Sequence, residues 1–303
     1  MKNFIMRSSW SRKAIGAIFI AVIACMVACG DDSSSSAGLN EGLGVESSSS
    51  AERGVSSSSG ETPKSYAEAK VVPSGTYDCS KYSCFTTEYL NQEFLEAGKY
   101  GEILDERDGQ VYKTVQIGDQ IWMAQNLNYY DDSNMSLKGK SWCYNDSSYY
   151  CQKYGRLYSW AAAMDSVTTG CGYGKNCGLA SASNAPLVQG ICPTGWHLPT
   201  KYECDTLFTA VGGEFTAGKV LKLRDGWYSN GNGTDTYGFS ALPTGSRSFD
   251  GHFIQDGNSA NFWSSTEYLN SRAYYMHLFF HNENAYLNNS VKHDGSSVRC
   301  LKD

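Results

Sequence analysis

ICPTGWHLPTKYEC, residues 191–204, sets two cysteines, a Trp-His pair and two prolines in fourteen residues. Two chemistries fit that string. A free Cys192 thiolate beside His197 would be a nucleophile with its base. A Cys192 oxidised with a distant partner would instead staple a corner, with Trp196 and Leu198 as core plugs and Pro193 and Pro199 fixing the turns. The right-hand end is simpler. The Thr200 hydroxyl caps a helix, and Glu203, three residues on, completes a capping box. Leu207, Phe208 and Val211 give that helix its buried face, and Gly212-Gly213 ends it. The choice between nucleophile and staple rests on the compartment, which the N-terminus declares.

Residues 1–13 carry Lys2, Arg7, Arg12 and Lys13 and no acid, and an apolar run from Ala14 to Ala28 follows. That run is short for a bilayer span and fits the core of a signal peptide. It closes on Met26-Val27-Ala28-Cys29-Gly30, which resembles the lipobox cut ahead of a lipidated cysteine. The expectation is a signal peptide over residues 1–28 and an acylated Cys29. Two acyl chains suffice for stable attachment, which would anchor the chain at the outer membrane or cell surface. Residues 29–62 hold three SSSS blocks among Gly, Glu and small residues, too little apolar area to offset ordering entropy. Such a linker has a root-mean-square span of roughly 30 Å. Loss of the signal removes four cations and no acid, taking the net charge from −6 to −10. That balance argues against nucleic acid as a partner.

Of eleven cysteines, Cys25 leaves with the signal and Cys29 takes lipid. An exported chain that keeps the remainder reads as a disulfide framework. No C-x₂-C pair occurs, which argues against zinc ribbons and thioredoxin-type redox motifs. The spacings suggest local pairs Cys79–Cys84, Cys143–Cys151 and Cys171–Cys177. Cys192 and Cys300 would then bracket the last hundred residues, a closure that contributes about 4–5 kcal/mol on the chain-entropy model. Cys204 is left over as a thiol that packs like a small apolar residue. The opening stretch therefore reads as a staple.

From Gly101 the texture changes. DERDGQVYKTVQIGDQIWMAQNL predicts a hairpin with strands Val111–Ile117 and Gln120–Ala124 about a Gly118-Asp119 turn. Residues 63–100, ahead of it, are expected as an appendage with a cysteine loop and a short helical face of Tyr89, Leu90 and Phe94. GRLYSWAAAM, residues 155–164, predicts an alanine-rich helix with Leu157, Trp160, Ala161 and Met164 on one stripe. Residues 165–190 read as loop, and a short helix is expected over Ala217–Leu223. YGFSALP, ANFWSST, RAYYMHLFF, NAYLNNSV and SSVRCLKD then alternate strands with polar turns. A hairpin, two or three helices and a C-terminal antiparallel sheet make an α+β domain.

Six stretches carry a resemblance: DGQVYKTVQIGDQIWMAQNLNY, CQKYGRLYSWAAAM, VQGICPTGWHLPT, GNGTDTYGFSALPTG, FWSSTEY and SVRCLKD, in this order across residues 101–303. Together they resemble the Fibrobacter succinogenes major paralogous domain family. The resemblance implies a secreted or lipid-anchored bacterial surface protein with a C-type-lectin-like fold, similar in layout to sulfatase-modifying-enzyme domains. It implies no defined activity. Formylglycine-generating enzymes, similar in fold, need a cysteine pair shortly before their last block, and no cysteine lies between Trp263 and Arg299. The chain is therefore not expected to be an enzyme. Cys204 stands where the family commonly has an aromatic residue.

Sugar-binding C-type lectins hold calcium with Glu-Pro-Asn or Gln-Pro-Asp and Trp-Asn-Asp strings, none of which occurs here. Calcium takes about six to eight oxygens. The Asn230–Asp235 loop and the Asp105–Asp108 turn are oxygen-rich, and both are expected to be solvated turns, so no cofactor or metal is expected. Trp227, Tyr228 and Tyr237 flank that first loop, whose Asn230, Asn232 and Asp235 supply amide and carboxylate groups. Rings beside hydrogen-bonding groups are what a glycan groove uses. His252, His277, His281 and His293 lack metal-ligand spacing. The expectation is a non-catalytic cell-surface binding or adhesion module for polysaccharide. The alternative is a structural or assembly protein of the cell surface with a protein partner.

Overall fold

The computed structural model describes residues 65–177 and 186–303. The expected signal peptide over residues 1–28, Cys29 and the expected linker up to residue 62 lie outside the described residues. Within the opening stretch, Cys192 is bonded to Cys300, 108 residues away. Trp196–His197 forms a short strand beside Leu301–Lys302, and the buried Trp196 indole donates to the Ala69 carbonyl at 2.8 Å. Thr200 and Glu203 form both halves of the capping box that starts the helix Lys201–Ala210.

That staple closes a curled, mainly antiparallel sheet. Gly101–Asp105, Gln110–Ile117 and Gln120–Met123 run in sequence, and Leu301 then sits beside Trp122. The last strand of the chain is thus zipped to the first hairpin. A second antiparallel sheet holds Ser259–Leu269, Arg272–Phe279 and Ala285–Val291, with the helices Lys201–Ala210 and Glu214–Leu221 packed on it. One core gathers Tyr112, Trp160, Trp196 and Trp263 around the Cys192–Cys300 bridge. The other gathers Trp122, Phe208, Leu221, Phe239 and Phe262. The class is α+β.

Residues 65–100 are part of this body rather than an appendage. Val72–Pro73 pairs with Gly101–Glu102, Ser83–Cys84 runs parallel to Gln110–Val111, and Leu90 and Tyr100 are buried in the second core.

The Gly155–Met164 segment departs from the expected helix. A helix Ser148–Tyr154 ends at Gly155, and within the Gly155–Met164 segment only Trp160–Ala163, capped by Ser159, is helical. Between them Leu157–Tyr158 is extended and pairs with Ser141–Trp142. Two long-range constraints override the alanine-rich pattern. A side chain at position 155 would meet the Asn126 and Leu127 carbonyls at 2.8 Å, and Tyr158 exchanges backbone bonds with Ser296 at 2.8 and 3.0 Å. YGFSALP also forms no strand, making only a bridge from Lys222 to Ala241.

Cys79–Cys84 and Cys143–Cys151 are disulfides. Cys171–Cys177 is not: both are thiols, so Cys204 is one of three free cysteines among the described residues. The segment between them is held by other partners. Gly174 N donates to Asn270 O at 2.9 Å, Cys177 N donates to Glu267 Oε2 at 3.0 Å, and Lys292 Nζ donates to the Gly172 and Lys175 carbonyls. Burial, and then a hydrogen bond with Cys171, pushes the Cys177 thiol up to about 12.

Candidate ligand-binding site

The Trp227–Tyr237 loop is divided by its folding into a core half and a surface half. Trp227 is buried, its indole donating to Ala241 O at 3.3 Å, with the Lys222 ammonium over its ring at 5.0 Å. Asp235 is buried and accepts from the Ser240 amide and hydroxyl at 2.7 Å each. Burial pushes its carboxyl up to about 6. Tyr237 packs against the second core. These three are structural residues, not ligand-facing ones.

Tyr228, Asn230 and Asn232 stay at the surface. Tyr228 is 64% exposed and meets the Phe280 ring edge-on at 5.4 Å. Asn230 and Asn232 line a cleft of about 360 Å³ together with Lys219, Phe280, His281, Asn282 and Glu283, among others. The tight loop depends on its glycines: a side chain at Gly231 would strike Phe280 O at 2.3 Å, and one at Gly233 would strike Lys222 O at 2.0 Å. Lys222 closes the cleft floor, its ammonium donating to Phe279 O and Asn282 O at 3.1 and 3.0 Å. Burial lowers its pKa to about 8. The cleft offers two amide-bearing loops, a partly desolvated cation and the Glu283 carboxylate, with the exposed Tyr228 ring outside its lining, against Phe280.

His197 has no thiol partner. Its Nδ1 lies 2.8 Å from Asp303 Oδ1 and its Nε2 3.0 Å from Glu203 Oε1. Of the oxygen-rich turns, Asp105 is taken by Arg107 at 2.8 and 2.6 Å. Asp108 accepts from Gln110 N at 3.0 Å, and Asp235 faces inward as above. Among the described residues no group of three or more His, Cys, Asp or Glu is placed to hold a metal ion.

Three buried cations went unread in the sequence. Arg299 donates to Asn126 Oδ1, Phe239 O and Ser240 O, and Lys292 pairs with Glu267 under Trp160; Lys222 is the third. No local pattern marks them, because their acceptors are mostly carbonyls from distant segments. Phe280, His281 and Asn282 were also missed as cleft residues; they follow the strand Arg272–Phe279 and meet the Asn230 loop only through tertiary packing. A second groove, about 480 Å³, lies between Tyr89 and Tyr154 and the Arg224–Gly226 turn. A third, about 510 Å³, opens beside Trp142 and Arg247.

A disulfide-stapled α+β domain with surface clefts of this kind is the class of protein defined so far. Residues 115–302, more than half of the chain, match the model of the Fibrobacter succinogenes major domain, and the chain belongs to that family. No curated protein and no solved structure matches it.

Proposed function

We propose that this chain is a lipid-anchored cell-surface protein whose C-type-lectin-like domain binds polysaccharide without turning it over. The observation that carries the reading is the cleft lined by Asn230 and Asn232, with the exposed Tyr228 ring packed edge-on against its Phe280 wall. A ring supplies a flat apolar face with little entropy to lose, and amides pair with hydroxyls as both donor and acceptor. The lectin-like assignment is supported by a last strand, Leu301–Lys302, that returns across a loop-heavy middle to lie beside Gln120–Met123 near the start of the domain. The non-catalytic assignment is supported by Cys192 being committed to Cys300 and His197 to two carboxylates. Anchoring rests on the sequence around Cys29.

The test is retention of the full mature chain, in mild detergent, on cellulose, xylan and polygalacturonate. Retention on at least one, reduced by Tyr228→Ala or Asn230→Ala with the melting temperature unchanged, is the expected result. No retention on any glycan, together with specific protein adducts on crosslinking of intact cells, would replace this reading with the assembly role.

A further inference from the structure

We propose that the groove beside Trp142 and Arg247 is a second binding site, for the carboxylate-bearing sugar of an acidic polysaccharide, a uronate. It rests on the polysaccharide reading but lies on different residues from the Tyr228 cleft. The groove is about 510 Å³, the roomiest of the three described. Lys140, Lys175 and Arg247 line it, and no carboxylate does, although the chain as a whole is acidic. The nearest acids are turned to other work. Asp294 accepts from Phe249 N at 2.9 Å and from the Ser290 hydroxyl, Asp165 accepts from the Ser136 hydroxyl at 2.5 Å, and Asp250 accepts from His252 N at 3.2 Å. Glu267 is held by Lys292.

Arg247 is the centre of the site. Its guanidinium lies 4.2 Å over the Trp142 ring, and its buried Nε has no hydrogen-bond partner. An arginine clamped by cation–π contact offers its terminal nitrogens to a carboxylate as a charge-assisted pair. Rings complete the site: Tyr173, 49% exposed, stacks on His293 at 4.1 Å, and Phe249 is 67% exposed on the opposite chain segment. Sugar faces lie against such rings while the acid group reaches the cations. The Tyr173 segment is pinned by Gly174 N to Asn270 O and by Lys292 beneath it, so the ring is presented from fixed backbone.

The experiment is retention of the full mature chain, in mild detergent, on immobilised polygalacturonate and on its fully methyl-esterified form. Binding to the acid form at least tenfold tighter than to the ester, weakening as salt rises, is expected. Arg247→Met should lower that affinity at least tenfold and Lys175→Glu at least threefold, while Tyr228→Ala leaves it unchanged. Equal binding to acid and ester, or affinity untouched by Lys175→Glu and Arg247→Met, overturns the proposal. So does retention on neutral glycans only, which would leave the Tyr228 cleft standing by itself.

Discussion

Single residues divide between those whose role is local and those whose role is given by distant partners. Thr200 and Glu203 belong to the first kind, because a capping box is complete within four residues. Thr200→Ala should cost about 1 kcal/mol. Arg299 belongs to the second, since its three acceptors come from residue 126 and residues 239–240. Burial lowers its pKa to about 9, against the pull of Asp235. Removing the guanidinium strands three buried acceptors and leaves Asp235 without its nearest buried cation, so Arg299→Met should cost about 3–5 kcal/mol in urea unfolding. A loss below about 1 kcal/mol would show that water replaces the arginine.

His197 gives the chain a pH dependence that can be signed. Burial disfavours its imidazolium, but Glu203 and then Asp303 outweigh burial and hold its pKa above the ordinary value. Its contribution is therefore complete below the unfolded value of 6.5 and is lost as pH rises through the folded pKa. Glu203 runs the other way. Burial pushes its carboxyl up, His197 and Thr200 outweigh that, and its contribution is present above 4.5 and lost as pH falls. The pair stabilises most between those limits. The stability gap between the native chain and His197→Gln should be widest near pH 6 and narrow toward pH 9; a gap flat across that range would contradict the carboxylate clamp.

Among elements, what was legible followed contact range. The first hairpin was readable because its turn and alternation are contiguous, and Gln110–Ile117 and Gln120–Met123 fall where the pattern puts them. The Gly155–Met164 segment was not, because its alanine-rich pattern says helix while Ser296 and the Asn126–Leu127 backbone demand extended chain at Tyr158. The Cys171–Cys177 spacing likewise could not show that Asn270, Glu267 and Lys292 hold the loop. For the predicted ligand loop, composition could not say which rings face inward: Trp227 lies in the core, Tyr237 packs against it and Tyr228 stays at the surface. The bridges that do form should differ in weight. Cys192–Cys300 spans 108 residues and Cys79–Cys84 spans 5. On the chain-entropy model the first contributes about 5 kcal/mol and the second about 2. Paired Cys→Ala replacements compared in urea should keep that order; a costlier Cys79–Cys84 loss would place the effect in native packing instead.

At the scale of the molecule, the folded body and the family match do not begin at the same residue. The match starts at residue 115, yet the pairing of Val72–Pro73 and Ser83–Cys84 with the main sheet and the packing of Leu90, Phe94 and Tyr100 start some forty residues earlier. Composition could not show this, because short two-residue strands carry no periodicity and the segment's apolar residues are sparse. Asn91 makes the dependence concrete. Its side-chain oxygen caps the short helix by accepting from Phe94 N at 3.2 Å, while its backbone N donates to the Tyr100 and Ser240 hydroxyls and its side-chain amide donates to Asp235 O at 2.6 Å, tying residue 91 to the same buried network as Arg299. A chain cut at residue 101 would expose the edge Gly101–Asp105 and open that network. Limited proteolysis of the mature chain should therefore trim the serine-rich linker and halt near residue 65, leaving a fragment that still melts cooperatively. A resistant fragment that begins near residue 101 and keeps the full melting temperature would show that residues 65–100 decorate the domain rather than complete it.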